Sequence, residues 1–145
     1  MADDWLALLR DARVDFTLAW RRLADAAAGN EAPLRALFAD TRALEAWLPR
    51  WRERCASDDT GAQTGRADVG TERAGRMRRA SPWLIPRNHS VEEALAAASD
   101  AGDLGPFERL LEALRQPYDE APVHARYAEP APAAVTACYR TFCGT

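Results

Sequence analysis

Lysine is missing altogether: the nineteen basic residues of this 145-residue chain are all arginine. There is no glycine-rich loop followed by a strand, and no histidine-led loop ending in a metal-binding Asn and Asp. Together these absences exclude an ATP site of the kinase type within the chain. No apolar run approaches the about 20 residues that cross a bilayer, so no membrane partner is expected. The acidic Met-Ala-Asp-Asp start has no positive segment followed by an apolar one, so no signal peptide is visible. Three cysteines, an odd number with no C-x-x-C pair, exclude a disulfide framework, and a cytoplasmic protein with reduced thiols is expected. An excess of basic charge is also lacking. The net charge is −3 and the isoelectric point near 5.4, which argues against a nucleic-acid partner. No stretch alternates with period two and no repeat is visible, so strands are not expected and the fold class is all-α.

What is present is helical patterning at the two ends of a polar middle. Apolar residues make up 48 % of the chain and charged residues 28 %, the balance of a soluble globular protein. A chain of this length buries about two-thirds of its unfolded surface as one domain. Asp3 or Asp4 is placed to cap a first helix through Trp5, Leu8 and Leu9. A second helix is expected over residues 14–28, ending at Gly29, with Phe16, Ala19, Trp20, Leu23 and Ala27 on one stripe and Arg21, Arg22 and Asp25 opposite. Pro33 opens a third helix through Leu34, Leu37 and Phe38. A fourth, from Asp40-Thr41, carries Leu44, Trp47, Leu48 and Trp51, and Pro49 predicts a kink or break in it. Residues 1–55 thus form an N-terminal helical region. Residues 56–75, with four glycines and almost no apolar side chain, read as a flexible linker. A single helical turn is expected over 76–80.

Residues 76–119 hold the best-specified element, a helical hairpin behind a proline-punctuated extended segment in which Trp83 packs across the hairpin. Ser90 and Glu93 have capping-box spacing, so the first helix is expected to start at Ser90. Asp100-Ala101-Gly102 closes it, with glycine free to take the left-handed conformation. Pro106 suits the first turn of the second helix. Phe107, Leu110, Leu111 and Leu114 form its apolar face, and Pro117 ends it. Residues 120–145 are rich in proline and alanine and read as a mostly irregular tail, with a short helix expected only over 133–139.

Few residues invite chemistry. Arg87-Asn88-His89 sits where the extended segment meets a helix. His89 lacks a carboxylate or cysteine at ligand spacing, so the triplet and the following Ser90 and Glu93 read as a structural motif rather than a catalytic one. Cys138 and Cys143 with His89 and His124 have none of the usual zinc spacings. Arg50-Trp51-Arg52-Glu53-Arg54 and Arg76-Met77-Arg78-Arg79 have the composition of a single-strand binder. Trp51, however, continues a core stripe, which leaves the arginines on a solvated face. No catalytic, cofactor-binding or metal-binding residue is expected in this chain.

Several of these motifs, in this order, resemble the C-terminal region of the selenoprotein-O-like (SelO, or YdiU) proteins. They are Asp15-Phe16-Thr17-Leu18 with Arg21-Arg22-Leu23, Arg87-Asn88-His89 with the acidic and alanine-rich helix after it, the Gly102-Asp103 turn, Pro117-Tyr118-Asp119, and the ending Thr141-Phe142-Cys143-Gly144-Thr145. The resemblance implies a family with a kinase-like fold that uses ATP and Mg to transfer AMP to hydroxyl side chains of substrate proteins. It implies that this chain corresponds to the part after that core, without the core itself, and is inactive alone. It is then a truncated gene product or an orphaned module, whose partner is the kinase-like core, within an intact protein or separately encoded. It further implies a redox role for Cys143, although the ending is Cys-Gly-Thr rather than the cysteine-serine-serine or selenocysteine-serine-serine of some relatives; against it stands an idle thiol, since an unperturbed cysteine is mostly protonated at neutral pH. The alternative is a stand-alone helical protein-interaction module.

Overall fold

The computed structural model describes residues 1–59 and 69–132. Its elements in chain order are α1 (Ala2–Asp11), α2 (Phe16–Ala27), α3 (Ala32–Arg35), α4 (Arg42–Asp59), α5 (Val69–Ala80), α6 (Asn88–Ala101), α7 (Gly105–Leu114), a 3₁₀ turn (Pro122–His124) and α8 (Ala125–Ala128). There is no strand among the described residues, in keeping with the all-α pattern of the sequence. The chain divides into two compact units, Met1–Pro82 and Trp83–Thr145.

The first unit is built around tryptophan. Trp5 of α1 lies 4.7 Å from Trp47 of α4 and 5.9 Å, edge-on, from Trp20 of α2. Trp51 stacks on Trp47 at 5.9 Å. Such pairs add to the burial of their large apolar surfaces. Leu9, Leu23, Leu34, Leu44 and Leu48 fill the rest of this core. The start of α2 is fixed by Asp15, whose carboxylate accepts from the Leu18 amide at 2.9 Å, so the helix begins two residues later than its apolar pattern suggests. The chain leaves α2 through Gly29 at φ +93°, a conformation that suits glycine. At α1 neither aspartate caps: Met1 is the N-cap, and Asp4 instead accepts from Arg50 of α4 at 2.9 Å.

Further expectations fail in this unit, the first of them at Pro49. Of the kink or break predicted at Pro49, the break does not occur: α4 runs as one helix from Arg42 to Asp59 with the proline inside it. Pro49 and Glu45, the residue whose carbonyl loses its donor, are both exposed, where an open carbonyl costs least. Packing on both sides of the proline, by Trp47 and Leu48 before it and Trp51 after it, holds the course of the helix. The second failure lies in the stretch read as a linker over 56–75. Its first residues extend α4 to Asp59. Its last ones begin α5, which is a 12-residue helix rather than a single turn over 76–80. Residues 60–68 of that stretch lie outside the described residues.

The packing that makes α5 is of a kind composition does not reveal. A Cβ on Gly70 would stand 2.6 Å from the Ala27 carbonyl oxygen, so glycine lets the backbones of α5 and the end of α2 approach directly. Ala74 is fully buried in the same contact. Arg21, expected on the solvent face of α2, is buried instead. Its Nη1 donates to the carbonyls of Arg78, at 2.9 Å, and Ser81, at 3.0 Å. A cation there meets the negative end of the α5 dipole and satisfies carbonyls that the helix terminus leaves open. Asp25 accepts from both Arg78, at 2.6 Å, and Arg22, at 3.0 Å. Arg73 donates to the Cys55 carbonyl at 2.7 Å and pairs with Asp59. Phe16, assigned by spacing to the buried stripe, is exposed and touches only the edge of Trp20 within the aromatic group.

The second unit gathers Trp83, Leu84, Ala94, Leu110, Ala113, Tyr127 and Ala128 into its own core. The amides of Trp83 and Leu84 both donate to the Pro117 carbonyl, at 2.7 and 3.0 Å, which fixes the extended segment beside the end of the hairpin. α6 closes at Gly102, φ +64°, with the Asp103 amide reaching the Ala97 carbonyl at 3.0 Å, as the sequence signal predicts. Pro106 sits in the first turn of α7. The tail is less irregular than its composition suggests. Tyr127 and Ala128, on α8, are core residues, because an aromatic ring repays ordering a short helix that alanine and proline alone would not. The helix expected over 133–139 lies outside the described residues.

Candidate functional site

The capping box is not formed. α6 starts two residues before Ser90, at Asn88, with Arg87 in the N-cap position at ψ 132° and without a side-chain cap. The Arg87 carbonyl accepts from the amides of Ser90 and Val91, each at 3.0 Å, which are the opening bonds of the helix. Ser90 is therefore inside the first turn, and its small side chain is buried on the face that carries Ala94. Glu93 is turned to another task. Its two carboxylate oxygens accept from Nη2 of Arg126 at 3.0 and 2.9 Å, and the Arg126 guanidinium lies 5.0 Å from the centre of the Tyr127 ring. The bond to Glu93, first, and its charge, second, raise the pKa of Arg126 further above its already high value. The Arg87-Asn88-His89 segment thus opens a helix whose second turn is clasped to α8. Arg87 and His89 are half-buried and Asn88 is exposed.

Of the nominal metal ligands, only His89 and His124 are among the described residues. His124 is half-buried at the end of the 3₁₀ turn, and no group of three His, Cys, Asp or Glu side chains among the described residues could hold a metal ion. Cys138 and Cys143 lie outside the described residues, so the redox reading of Cys143 does too. Cys55, which no motif singles out, is a half-buried free thiol on α4. Burial pushes its pKa up, and the nearby Arg73 only partly offsets this, which makes it a poor thiolate.

The basic-aromatic clusters resolve into structure. Trp51 is held flat against Trp47, and its arginine neighbours face acids: Arg50 pairs with Asp4, Arg52 with Glu31, and Arg54 with Asp58 at 3.1 Å. Arg78 of the second cluster pairs with Asp25. The residues that sequence reasoning missed are Arg21 and Asp25, which hold α5, and Arg126, which holds Glu93. A signal for the first pair was the position of Arg21 beside the small, close-packing surface of Ala24 and Ala28. For Arg126 there was none.

No protein-family model matches the chain. Individual relatives match it closely. Over all 145 residues it is 52 % identical to a protein of Cereibacter sphaeroides named protein nucleotidyltransferase YdiU, and accounts for 27 % of that protein's length. It is 51 % identical over its whole length to a protein of the same name from Chromobacterium violaceum, covering 29 % of it. A Bradyrhizobium protein, again of that name, is 46 % identical over 92 % of the chain and is covered to 26 %. The chain spans between a quarter and a third of the length of these relatives, and the part it matches is their C-terminal part.

Proposed function

We propose that this chain is the C-terminal helical region of a YdiU-type protein nucleotidyltransferase, and that its work is to brace the catalytic part of such a protein rather than to carry out the transfer. The observation that carries this reading is the similarity at about half identity over the full chain to the C-terminal portion of proteins several times longer. The sequence supports the division of labour, because a chain without lysine has no side chain of the type that holds nucleotide phosphates in kinase-like sites. The side chains that the motifs pointed to are engaged in holding helices together: Glu93 with Arg126, Arg21 with the end of α5, Trp51 with Trp47.

In this reading ATP and magnesium belong to the catalytic part, as does the recognition of protein hydroxyl groups that receive AMP. The compartment is the cytoplasm. Cys143 supplies a thiol near the end of the region, available for oxidation to a sulfenate or a disulfide. Incubating the purified chain with labelled ATP, magnesium and a protein acceptor tests the proposal. No label on the acceptor is expected. Label that appears, and that tracks with the chain through purification, overturns the non-catalytic reading.

A further inference from the structure

Among the described residues, six of the exposed large apolar side chains belong to the second unit: Leu95, Leu104, Phe107, Leu111, Tyr118 and Val123. Three of them are not scattered. Leu104 precedes α7 as its N-cap, and Phe107 and Leu111 follow at i+3 and i+7, the spacing of one stripe along a helix. Their exposures are 56, 45 and 41 %. The core side of the same helix is a separate set, Leu110 and Ala113 with Leu114 packed against them. So α7 is apolar over two adjoining faces, one used within its own unit and one facing outward. The sequence pattern, read as a single face, merges the two.

An isolated exposed leucine is ordinary, but a helical stripe of two leucines and a phenylalanine has the form of helix-to-groove recognition. Its setting is acidic. Residues 83–145 carry nine acidic residues against five arginines, whereas residues 1–82 carry thirteen against fourteen. Glu108 lies beside the stripe on α7, and Arg115, one turn beyond Leu111, is paired with Glu112 at 3.0 Å. The surface that accepts it is therefore apolar at the centre and basic at the rim.

We infer that the Leu104–Phe107–Leu111 stripe is a docking face, and that its occupant is the portion of a YdiU-type polypeptide lying outside the region this chain matches. The choice of occupant rests on the reading given under the proposed function. Relatives in which this region is only 27 or 29 % of the length always supply a large body of further polypeptide in the same molecule. At such tethered concentrations it outcompetes a second copy. Phe107 is the anchor, because a ring that enters a pocket contributes the largest apolar area of the three.

The test uses two proteins: the full chain by itself, and the Chromobacterium violaceum relative with its matched region replaced by this chain. Leu111→Cys and, on the opposite side of α7, Arg109→Cys are introduced singly. Their modification by a maleimide is followed peptide by peptide with mass spectrometry. In the chain by itself both thiols are expected to react at the rate of a free peptide. In the chimera Leu111→Cys is expected to react at least tenfold more slowly, and Arg109→Cys within threefold of its free rate. Equal rates for Leu111→Cys in the two proteins overturn the docking face. Equal slowing at both positions also overturns it, since the stripe is then not what is covered. Slow reaction of Leu111→Cys already in the chain by itself overturns the occupant, because a second copy or another part of the chain then covers the stripe. Nucleotidyl transfer by the chimera judges the proposed function separately: an active chimera with a fully reactive Leu111→Cys retains that function and loses the docking face.

Discussion

Replacing Arg21 by methionine removes the donors that hold the end of α5 while keeping most of the side chain's length and apolar bulk. Arg21 is 2 % exposed, and one of its nitrogens serves two carbonyls, those of Arg78 and Ser81. A hydrogen bond from a charged group contributes about 1.5–3 kcal/mol, and a buried carbonyl left without a donor costs about 1–3 kcal/mol. The favourable placement of a cation at a helix C-terminus adds up to about 1 kcal/mol more in a surface setting. Part of the loss is recovered, because the methionine stem is no longer tied to a charge that had to be desolvated. The net expectation for Arg21→Met is a loss of about 2–4 kcal/mol. Arg21→Ala adds the lost packing of the stem and costs roughly 1 kcal/mol beyond that. Arg21→Lys keeps the charge on a shorter stem and falls between Arg21→Met and the parent. Urea unfolding followed by tryptophan fluorescence measures this directly, because Trp5, Trp20, Trp47 and Trp51 all report on the unit that Arg21 stabilises. The amides of α5 are expected to exchange fastest in the variants. A stability for Arg21→Met within about 0.5 kcal/mol of the parent, the usual range of an inconsequential surface change, refutes the account of how α5 is held.

Gly70→Ala puts a Cβ into contact with the Ala27 carbonyl, and this overpacking outweighs the gain in helix propensity, for a net loss of about 1–2 kcal/mol in the same melts. Asp15→Ala removes the one side-chain cap of α2 and costs about 1 kcal/mol. Ser90→Ala, by contrast, is expected to stay within about 0.5 kcal/mol of the parent, since Ser90 lies inside α6 and caps nothing; a loss near 1 kcal/mol, the value of a true cap, would restore the capping box. Asp40 titrates at about 2, held down first by hydrogen bonds from the Arg42 side chain and then by the one from its amide, and in Arg42→Ala its carboxyl resonance is expected to move toward the ordinary range without reaching it, because the amide still donates at 3.0 Å. Because its folded pKa is depressed, the stabilisation from this pair is present above the ordinary carboxylate pKa and fades as pH falls through about 2. The exposure of the pair keeps that effect small.

Helix identity was legible wherever a stripe or a turn residue carries it. Trp47, Leu48 and Trp51 announce α4, and Gly102 and Pro106 announce the turn of the hairpin. What could not be read were contacts made by groups with no periodic signature. α5 looked like linker because its attachment is a glycine backbone contact, one alanine and three arginines. Each is poor in apolar surface, and each depends on a partner far away in sequence, such as Arg21 at 57 positions from Arg78. Pro49 misled because its breaking tendency is local, whereas the tryptophans that hold α4 are brought together by the fold. Ser90 and Glu93 had capping-box spacing, yet Arg126, 33 residues on, claims the glutamate. The motif Arg87-Asn88-His89 was correctly placed at a helix entrance, although the helix begins inside it.

Whether this chain serves a YdiU-type enzyme as its C-terminal brace is decided by exchanging the part it matches. The Chromobacterium violaceum relative carrying this chain in place of its own matched region is compared with the same relative lacking that region and with the chain by itself, each supplied with labelled ATP, magnesium and a protein acceptor. The account predicts transfer by the chimera at a rate near that of the unaltered relative, a large loss in the protein lacking the region, and none from the chain by itself. Full transfer by the protein lacking the region, or transfer by the chain by itself, would contradict it.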